Sequence, residues 1–213
     1  MSISSILKKV LPPEEKKFFD FFDDGAELAY HAAVLFHDII FDAYSEDRFI
    51  EAKNLKSRSS EVAKNCLAEL NKTFVTPIDR EDIMYITIRL NKITKRIIRG
   101  CLDLRIYNLK EYPPIMKQQA ETLIKGAREL QTGVTYLHKV SELKQVSESN
   151  HRMMEIENHG DDLLYHAMEE IFSGKYDALE VIKLRNVYRT IESALDNCSN
   201  VSESILNITL KNG

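Results

Sequence analysis

Two pairs of carboxylates in the last third of the chain have the types and the spacing to bind a metal ion. Glu157 and Asp161 form one pair, and Glu192 and Asp196 form the other. Within each pair the residues are four positions apart, so on an α-helix both side chains lie on one face, one turn apart. Like charges at this distance repel unless something neutralises them. If the two helices pack antiparallel, the pairs face each other and form an all-oxygen cage of the kind that hard cations or iron accept.

A plainer interpretation of these acids stays open at this point. The pairs lie beside apolar positions such as Ile156 and Leu195, and they also suit solvated helix faces that pair with Lys and Arg. Di-iron carboxylate enzymes need two Glu-x-x-His motifs. This chain has one, at 148–151, where we expect the histidine at the surface. His159 and His166 flank the first acidic pair and are further candidate ligands.

Other kinds of chemistry have little support in the sequence. It has no Gly-rich phosphate loop, no Gly-x-Ser-x-Gly elbow and no His-Glu-x-x-His motif, and no base or phosphate-holding Arg is evident beside the acidic pairs. Three cysteines without a CxxC pair indicate neither a disulfide framework nor a thiolate metal site, and they suit a reducing cytoplasm. A formal net charge of -4 disfavours a nucleic-acid binder, and no apolar run is long enough for a membrane span. We therefore expect a soluble protein that is not an enzyme.

The elements that must position these residues are helices. Only 7 Gly and 5 Pro accompany 44% apolar and 29% charged residues, a balance that favours long helices. Apolar residues recur at spacings of three and four, and the short links between such segments favour antiparallel neighbours. The predicted class is all-α, with six long antiparallel helices at about residues 14–44, 48–73, 79–108, 113–143, 147–173 and 177–211.

The second half of the chain repeats the pattern of the first. A shift of 101 residues places Leu55 on Ile156 and Leu90 on Ile191. This match predicts two three-helix repeats within a single helical domain that spans residues 1–213. The first repeat would cover about residues 14–108, and the second about 113–211.

The stretch FVTPIDREDI, between the second and third helices, carries four charged residues directly behind a Thr-Pro. We interpret it as a helix junction, in which Thr76 or Asp79 caps the third helix and Pro77 fits its first turn. Glu81 and Asp82 would then face the positive end of the helix dipole.

At this stretch the sequence resembles the PhoU-like phosphate-transport regulators, in particular the branch encoded beside Pit-type phosphate transporters. The resemblance extends over nearly the whole chain. It includes FFDFF near the start, ELNKTF before the junction, the pair Glu157 and Asp161, and IESALDNCSNVSESI near the end.

The resemblance implies a pair of three-helix repeats that form an elongated PhoU-like bundle, with Glu-x-x-x-Asp motifs that bind iron or zinc at its surface. The metal ligands would then be Glu157, Asp161, Glu192 and Asp196. The implied function is that of a cytoplasmic, non-enzymatic regulator or accessory protein of inorganic phosphate transport. It would act by contact with a Pit-type transporter or its signalling partner, through which it would be peripheral to the inner membrane. A metal-dependent phosphoesterase and a metal-free helical scaffold are the alternatives, and a homo-oligomer is left open.

The first repeat departs from the family pattern. The 101-residue shift pairs the four acids of the second half with Lys56, Ser60, Asn91 and Lys95. Because ammonium groups repel a cation, we expect no metal in the first repeat and one cluster at most in the chain. The basic residues instead form a predicted patch for an anion or an acidic partner, with a solvated helix face as the alternative. The patch consists of Lys56, Lys92, Lys95, Arg96 and Arg99.

Overall fold

A computed structural model of the chain describes residues 13–42, 45–109, 111–139 and 143–212. Almost all of these residues are helical, and none of them lies in a β-strand. The helices are α1 (Pro13–Asp42), α2 (Glu46–Lys72), α3 (Arg80–Tyr107), α4 (Pro114–Tyr136), α5 (Leu143–Ile171) and α6 (Ala178–Asn212). The predicted all-α class is confirmed.

Successive helices run antiparallel. The hydroxyl of Ser59 in α2 donates a hydrogen bond to Asn91 of α3 (Oγ to Oδ1, 3.1 Å), and Arg105 near the end of α3 lies over the ring of Phe49 near the start of α2. The links therefore alternate between the two ends of a long bundle. The 35 residues of α6 alone extend over about 52 Å. The predicted elongated bundle of six antiparallel helices is confirmed, and none of the described helices has the length and hydropathy needed to cross a bilayer.

The two helix triplets share one hydrophobic core. Helix α1 packs against α4 and α3 packs against α6, and buried apolar side chains from all six helices form one continuous cluster. The aromatic run near the start contributes Phe18 and Phe22, which are fully buried. Cys66, Cys101 and Cys198 are also buried, as free thiols. The division of the chain into two sequence repeats stays a prediction.

Two predicted helix boundaries differ from the structure. Helix α4 ends at Tyr136, where a 3-10 turn (Leu137–Lys139) follows, and residues 140–142 of the predicted segment lie outside the described residues. Helix α5 begins at Leu143 rather than near residue 147. The first three residues of this helix are exposed and the buried Val146 follows them, so the pattern of buried apolar residues starts only after the helix has begun.

The start of α3 differs from the predicted helix junction. Asp79 is the N-cap residue, but its side chain makes no capping hydrogen bond. Thr76 instead donates to the carbonyl of Ile78 (2.8 Å), and Pro77 precedes the helix rather than entering its first turn. Asp79 therefore holds the predicted N-cap position, and its carbonyl accepts the first hydrogen bond of the helix, from Ile83 (3.1 Å), but neither Asp79 nor Thr76 caps α3 through its side chain.

The side chain of Arg80 caps the C-terminal end of the preceding helix, α2. Its guanidinium donates hydrogen bonds to the carbonyls of Leu70 (2.5 Å) and Thr73 (2.7 Å), at the end of α2. The last carbonyls of a helix have no hydrogen-bond partner within that helix, and they form the negative end of its dipole. A cationic donor such as Arg80 supplies both the missing hydrogen bonds and a favourable charge. At the same junction Lys211 of α6 lies 3.1 Å from Asp82. The charged residues of this stretch thus connect the end of α2, the start of α3 and the end of α6 through hydrogen bonds and an ion pair.

Candidate metal site

Helices α5 and α6 bring the predicted metal-ligating acids together. Glu157 and Asp161 project from α5, and Asp196 projects from α6. One carboxylate oxygen from each of these three residues lies within 4.8 Å of the other two. Oxygens that bind one cation at about 2.0 to 2.6 Å are at most about 5 Å apart. The three carboxylates therefore fit a single ion, and we name them the acidic triad.

Glu192, the fourth predicted ligand, lies at the edge of the acidic triad. Burial, the negative charge of Asp196, a hydrogen bond with Asp196 and the charge of Asp161 raise the pKa of Glu192 to about 7. Two carboxyl groups can share a hydrogen bond only when one of them holds a proton. Glu192 therefore interacts with Asp196, but it is not one of the three acids whose oxygens converge.

The same crowding affects both acids of α5. Partial burial raises the pKa of Glu157, and the charges of Asp161 and Asp196 raise it further. Burial also raises the pKa of Asp161, with added effects from Asp196 and Asp162. Each carboxylate in the group thus makes ionisation of its neighbours less favourable. A bound cation would relieve this repulsion and reverse the direction of these pKa shifts.

Two glycines allow the close approach that brings the acidic triad together. A Cβ atom at Gly160 would lie 2.6 Å from Cδ1 of Leu195, and one at Gly126 of α4 would lie 2.7 Å from Cδ2 of the same leucine. The side chain of Leu195 therefore packs directly against the backbone of α4 at Gly126 and of α5 at Gly160. Gly160 precedes Asp161 and Leu195 precedes Asp196, so this contact sets the helix separation at the level of the ligands. The glycine directly before a candidate ligand was the signal for this contact in the sequence, and no prediction above used it.

The nearby histidines do not join the acidic triad. His151 lies 3.5 Å from Glu155 and His166 lies 3.2 Å from Glu169, while His159 is exposed. Among the described residues, the candidate metal-binding group contains neither His nor Cys. An all-oxygen set suits hard cations, whereas zinc in proteins usually has nitrogen or sulfur ligands.

Arg189 is a neighbour of the site that the sequence analysis missed. It stands three positions before Glu192 on α6, and its positive charge opposes the rise in the pKa of Glu192. Residues three apart on a helix share a face, so the spacing was the available signal. The expectation that no phosphate-holding Arg lies beside the acidic pairs stays a prediction.

The corresponding positions of the first repeat have different chemistry. Ser59 and Asn91 form the hydrogen bond that joins α2 to α3, and Ser60 bonds to the carbonyl of Lys56 in its own helix (2.8 Å). Lys56 is exposed, and Lys95 is half-buried. That the first repeat binds no metal stays a prediction.

The other members of the predicted basic patch lie along α3. Lys92 and Arg99 are exposed and Arg96 is half-buried. Arg99 forms an ion pair with Asp103 of the same helix (Nε to Oδ1, 2.9 Å). The structure thus places these residues on one helix of the first triplet, and their role in binding an anion or a partner stays a prediction.

Two proteins are similar to this chain in sequence. UPF0111 protein YkaA of Bacillus subtilis (strain 168) is 27% identical over 146 residues, which cover 68% of this chain and 71% of that protein. The "Putative pit accessory protein" of Rhizobium meliloti (strain 1021) is 22% identical in an alignment 214 residues long that covers 97% of this chain and 98% of that protein. No protein-family model matches the chain.

Two solved structures from Shewanella oneidensis MR-1 share the fold. One is a PhoU-like protein with a TM-score of 0.77 and 14% identity, and the other is described as a putative PhoU-like phosphate regulatory protein, with a TM-score of 0.74 and 15% identity. In both cases the match covers 91% of this chain and 99% of the solved chain. With the sequence relatives, these structures confirm the predicted resemblance of this chain to the PhoU-like family and its Pit accessory branch.

Proposed function

We propose that this protein is a cytoplasmic, non-enzymatic regulator of inorganic phosphate transport that acts by contact with a Pit-type transporter or its signalling partner. The observation that carries the proposal is the similarity, over 97% of the chain, to a protein named as a pit accessory protein. The PhoU-like fold adds support, since one of the similar structures is described as a phosphate regulatory protein.

The proposed regulator holds a metal ion in its second repeat. Glu157, Asp161 and Asp196 bind the ion, and Glu192 supports Asp196. When bound, the ion supplies the positive charge that relieves the repulsion among these acids, so it fixes α5 against α6 and orders the surface they form. Of the two metals that the family resemblance implies, ferric iron suits an all-oxygen ligand set better than zinc does.

Metal analysis tests the ligand assignment. Protein purified from cells without chelators is analysed by mass spectrometry of its metals, and the double variant Glu157→Gln with Asp196→Asn is expected to lose the metal that the wild type retains. Glu155→Gln with Glu203→Gln is the matched control, because it removes two exposed acids from the same two helices. Equal metal content in the wild type and the first variant would show that the ligands are wrong.

Phosphate uptake tests the regulatory role. In cells that express the Pit-type transporter and lack their own copy of this protein, radiolabelled phosphate uptake is expected to change when the wild type is restored. The variant Glu157→Gln with Asp196→Asn is expected to restore the effect only in part. Uptake that is the same with and without the protein would contradict the proposal. Turnover of phosphate esters by metal-loaded protein, abolished by Asp161→Asn, would favour the phosphoesterase alternative instead.

A further inference from the structure

The outer surface of α2 and α3 carries a dense set of cations. The contact of Phe49 with Arg105 (3.9 Å from the guanidinium carbon to the ring centroid) places that side of α2 beside α3. Lysines follow Phe49 on the same side of α2 at helical spacing, and a second stripe of cations follows the exposed side of α3. We name this surface the basic face, and its members are Lys53, Lys56, Lys64, Lys92, Lys95 and Arg99.

Few carboxylates neutralise the basic face. Among the described residues, Arg99 pairs with Asp103, whereas Lys56, Lys64, Lys92 and Lys95 form no ion pair. Lys53 lies over the ring of Phe49, 4.1 Å from its centroid. The chain as a whole has a formal net charge of -4, so this surface is a local excess of positive charge on an acidic protein.

Large apolar side chains are exposed on the cation-bearing side of α3 and in the link that precedes this helix. Met84, Ile88 and Ile106 share the side of α3 that presents the cations, and Ile88 is 48% exposed. In the link between α2 and α3, Phe74 is 98% exposed and Val75 is exposed beside it. Lys and Arg together with large exposed apolar side chains are also found in helices that lie at a membrane interface.

The cations of the basic face are spread along two helices, from Lys53 to Lys64 on α2 and from Lys92 to Arg99 on α3. An extended anionic surface can contact all of them at once, whereas a single small anion cannot. Such a partner also has to accept the exposed apolar side chains, which a purely acidic peptide does not use.

We propose that the basic face docks on a membrane surface rich in anionic lipids. The lysines and Arg99 bind lipid phosphates, while Ile88 and Phe74 enter the boundary between the headgroups and the acyl chains. The attraction comes from negative lipid charge within a Debye length of the surface. This docking is independent of the proposed regulation of phosphate uptake, since either one can hold without the other.

Vesicle sedimentation of the full chain tests the charge part of the proposal. Wild-type protein is expected to bind vesicles of phosphatidylglycerol and phosphatidylcholine, and to remain in solution with phosphatidylcholine alone. Lys56→Glu with Lys92→Glu, both at exposed positions, is expected to weaken binding by roughly 25-fold or more. Lys125→Glu with Arg185→Glu makes the same charge change at exposed positions of α4 and α6 and is expected to have little effect.

Tryptophan fluorescence tests the apolar part. The chain contains no Trp, so Phe74→Trp introduces a single tryptophan, which can be excited selectively and whose emission is expected to shift to the blue when anionic vesicles are added. Phe172→Trp, at an exposed position in the link at the other end of the bundle, is expected to show no shift. Absence of the shift at position 74, equal binding by the charge-reversal variant, or binding to poly-glutamate or free phosphate without binding to vesicles would each overturn the proposal.

Discussion

Glu192 is the acid of the site that changes its protonation near neutral pH. Folding raises its pKa from the ordinary value of 4.5 to about 7, so between these values the folded chain holds a proton that the unfolded chain has lost. Stability decreases with rising pH wherever the folded state binds more protons. The contribution of Glu192 is therefore neutral below pH 4.5, becomes steadily more unfavourable between pH 4.5 and about 7, and stays constant at higher pH.

Glu192→Gln should therefore stabilise the metal-free protein at high pH. The variant removes a carboxylate that the negative charge of Asp196 destabilises. Its melting temperature is therefore expected to exceed that of the wild type above pH 7 and to converge with it below pH 4.5. Circular dichroism melts in the presence of a chelator, over a series of pH values, measure the difference. Glu203→Gln, at an exposed position of the same helix, should show no such pH dependence. A difference between Glu192→Gln and wild type that is constant with pH would contradict the assignment.

At the scale of the helices, Leu195 is the contact that sets the geometry of the metal site. Its two methyl groups face Gly126 of α4 and Gly160 of α5, at separations that leave no room for a Cβ on either side. Interiors packed this closely transmit a small change in volume to their neighbours. A methyl group at Gly160 must therefore displace Leu195, or move α5 away from α6 and separate the carboxylates.

Gly160→Ala is expected to destabilise the fold by about 1 to 3 kcal/mol, the usual cost of overpacking. Leu195→Ala alone should cost about 2 to 5 kcal/mol, because it leaves a cavity. The double variant should cost less than the sum, since the new methyl group occupies part of the space that the leucine vacates. Urea unfolding of the four proteins measures this coupling.

Gly133→Ala is the control for this cycle. A Cβ there would lie 3.4 Å from the hydroxyl of Ser149, an ordinary contact distance, so alanine should be tolerated and should gain from its higher helix propensity. Strict additivity of Gly160→Ala and Leu195→Ala would mean that the two residues do not share this space.

Helical spacing was sufficient to predict which acids share a face of one helix. It could not predict which carboxylates of α5 and α6 come close together. The pairs Glu157 with Asp161 and Glu192 with Asp196 follow from a spacing of four on a single helix. The register between two helices depends on the fit of particular side chains, here a leucine between two glycines, and no periodicity contains that information. Arg80 shows the same limit, because the sequence indicates a helix junction there without showing that Arg80 ends the preceding helix.

At the scale of the whole molecule, the basic face and the acidic triad lie on different helix triplets that share one core. The first triplet carries the basic face, and the second carries the acidic triad. The buried residues of both form one continuous cluster, joined by the packing of α1 on α4 and of α3 on α6. The basic face and the acidic triad are therefore separate at the surface, whereas the hydrophobic core beneath them is continuous.

A shared core should make the two triplets unfold together. Scanning calorimetry of the wild type is expected to show one transition, and Leu195→Ala in the second triplet is expected to move the whole transition to a lower temperature. The reason is that neither triplet can bury its apolar face without the other. Two peaks, of which only one responds to the substitution, would instead indicate two independently stable halves.

The burial of all three cysteines makes the chain suitable for site-specific labelling. Burial raises the pKa of Cys66, Cys101 and Cys198, in the last case to about 12, so these thiols stay protonated and inaccessible. A cysteine introduced at the exposed position 88 would then be the single reactive thiol of an otherwise native protein. A dye attached there would report, by energy transfer, the distance between α3 and a labelled transporter or bilayer.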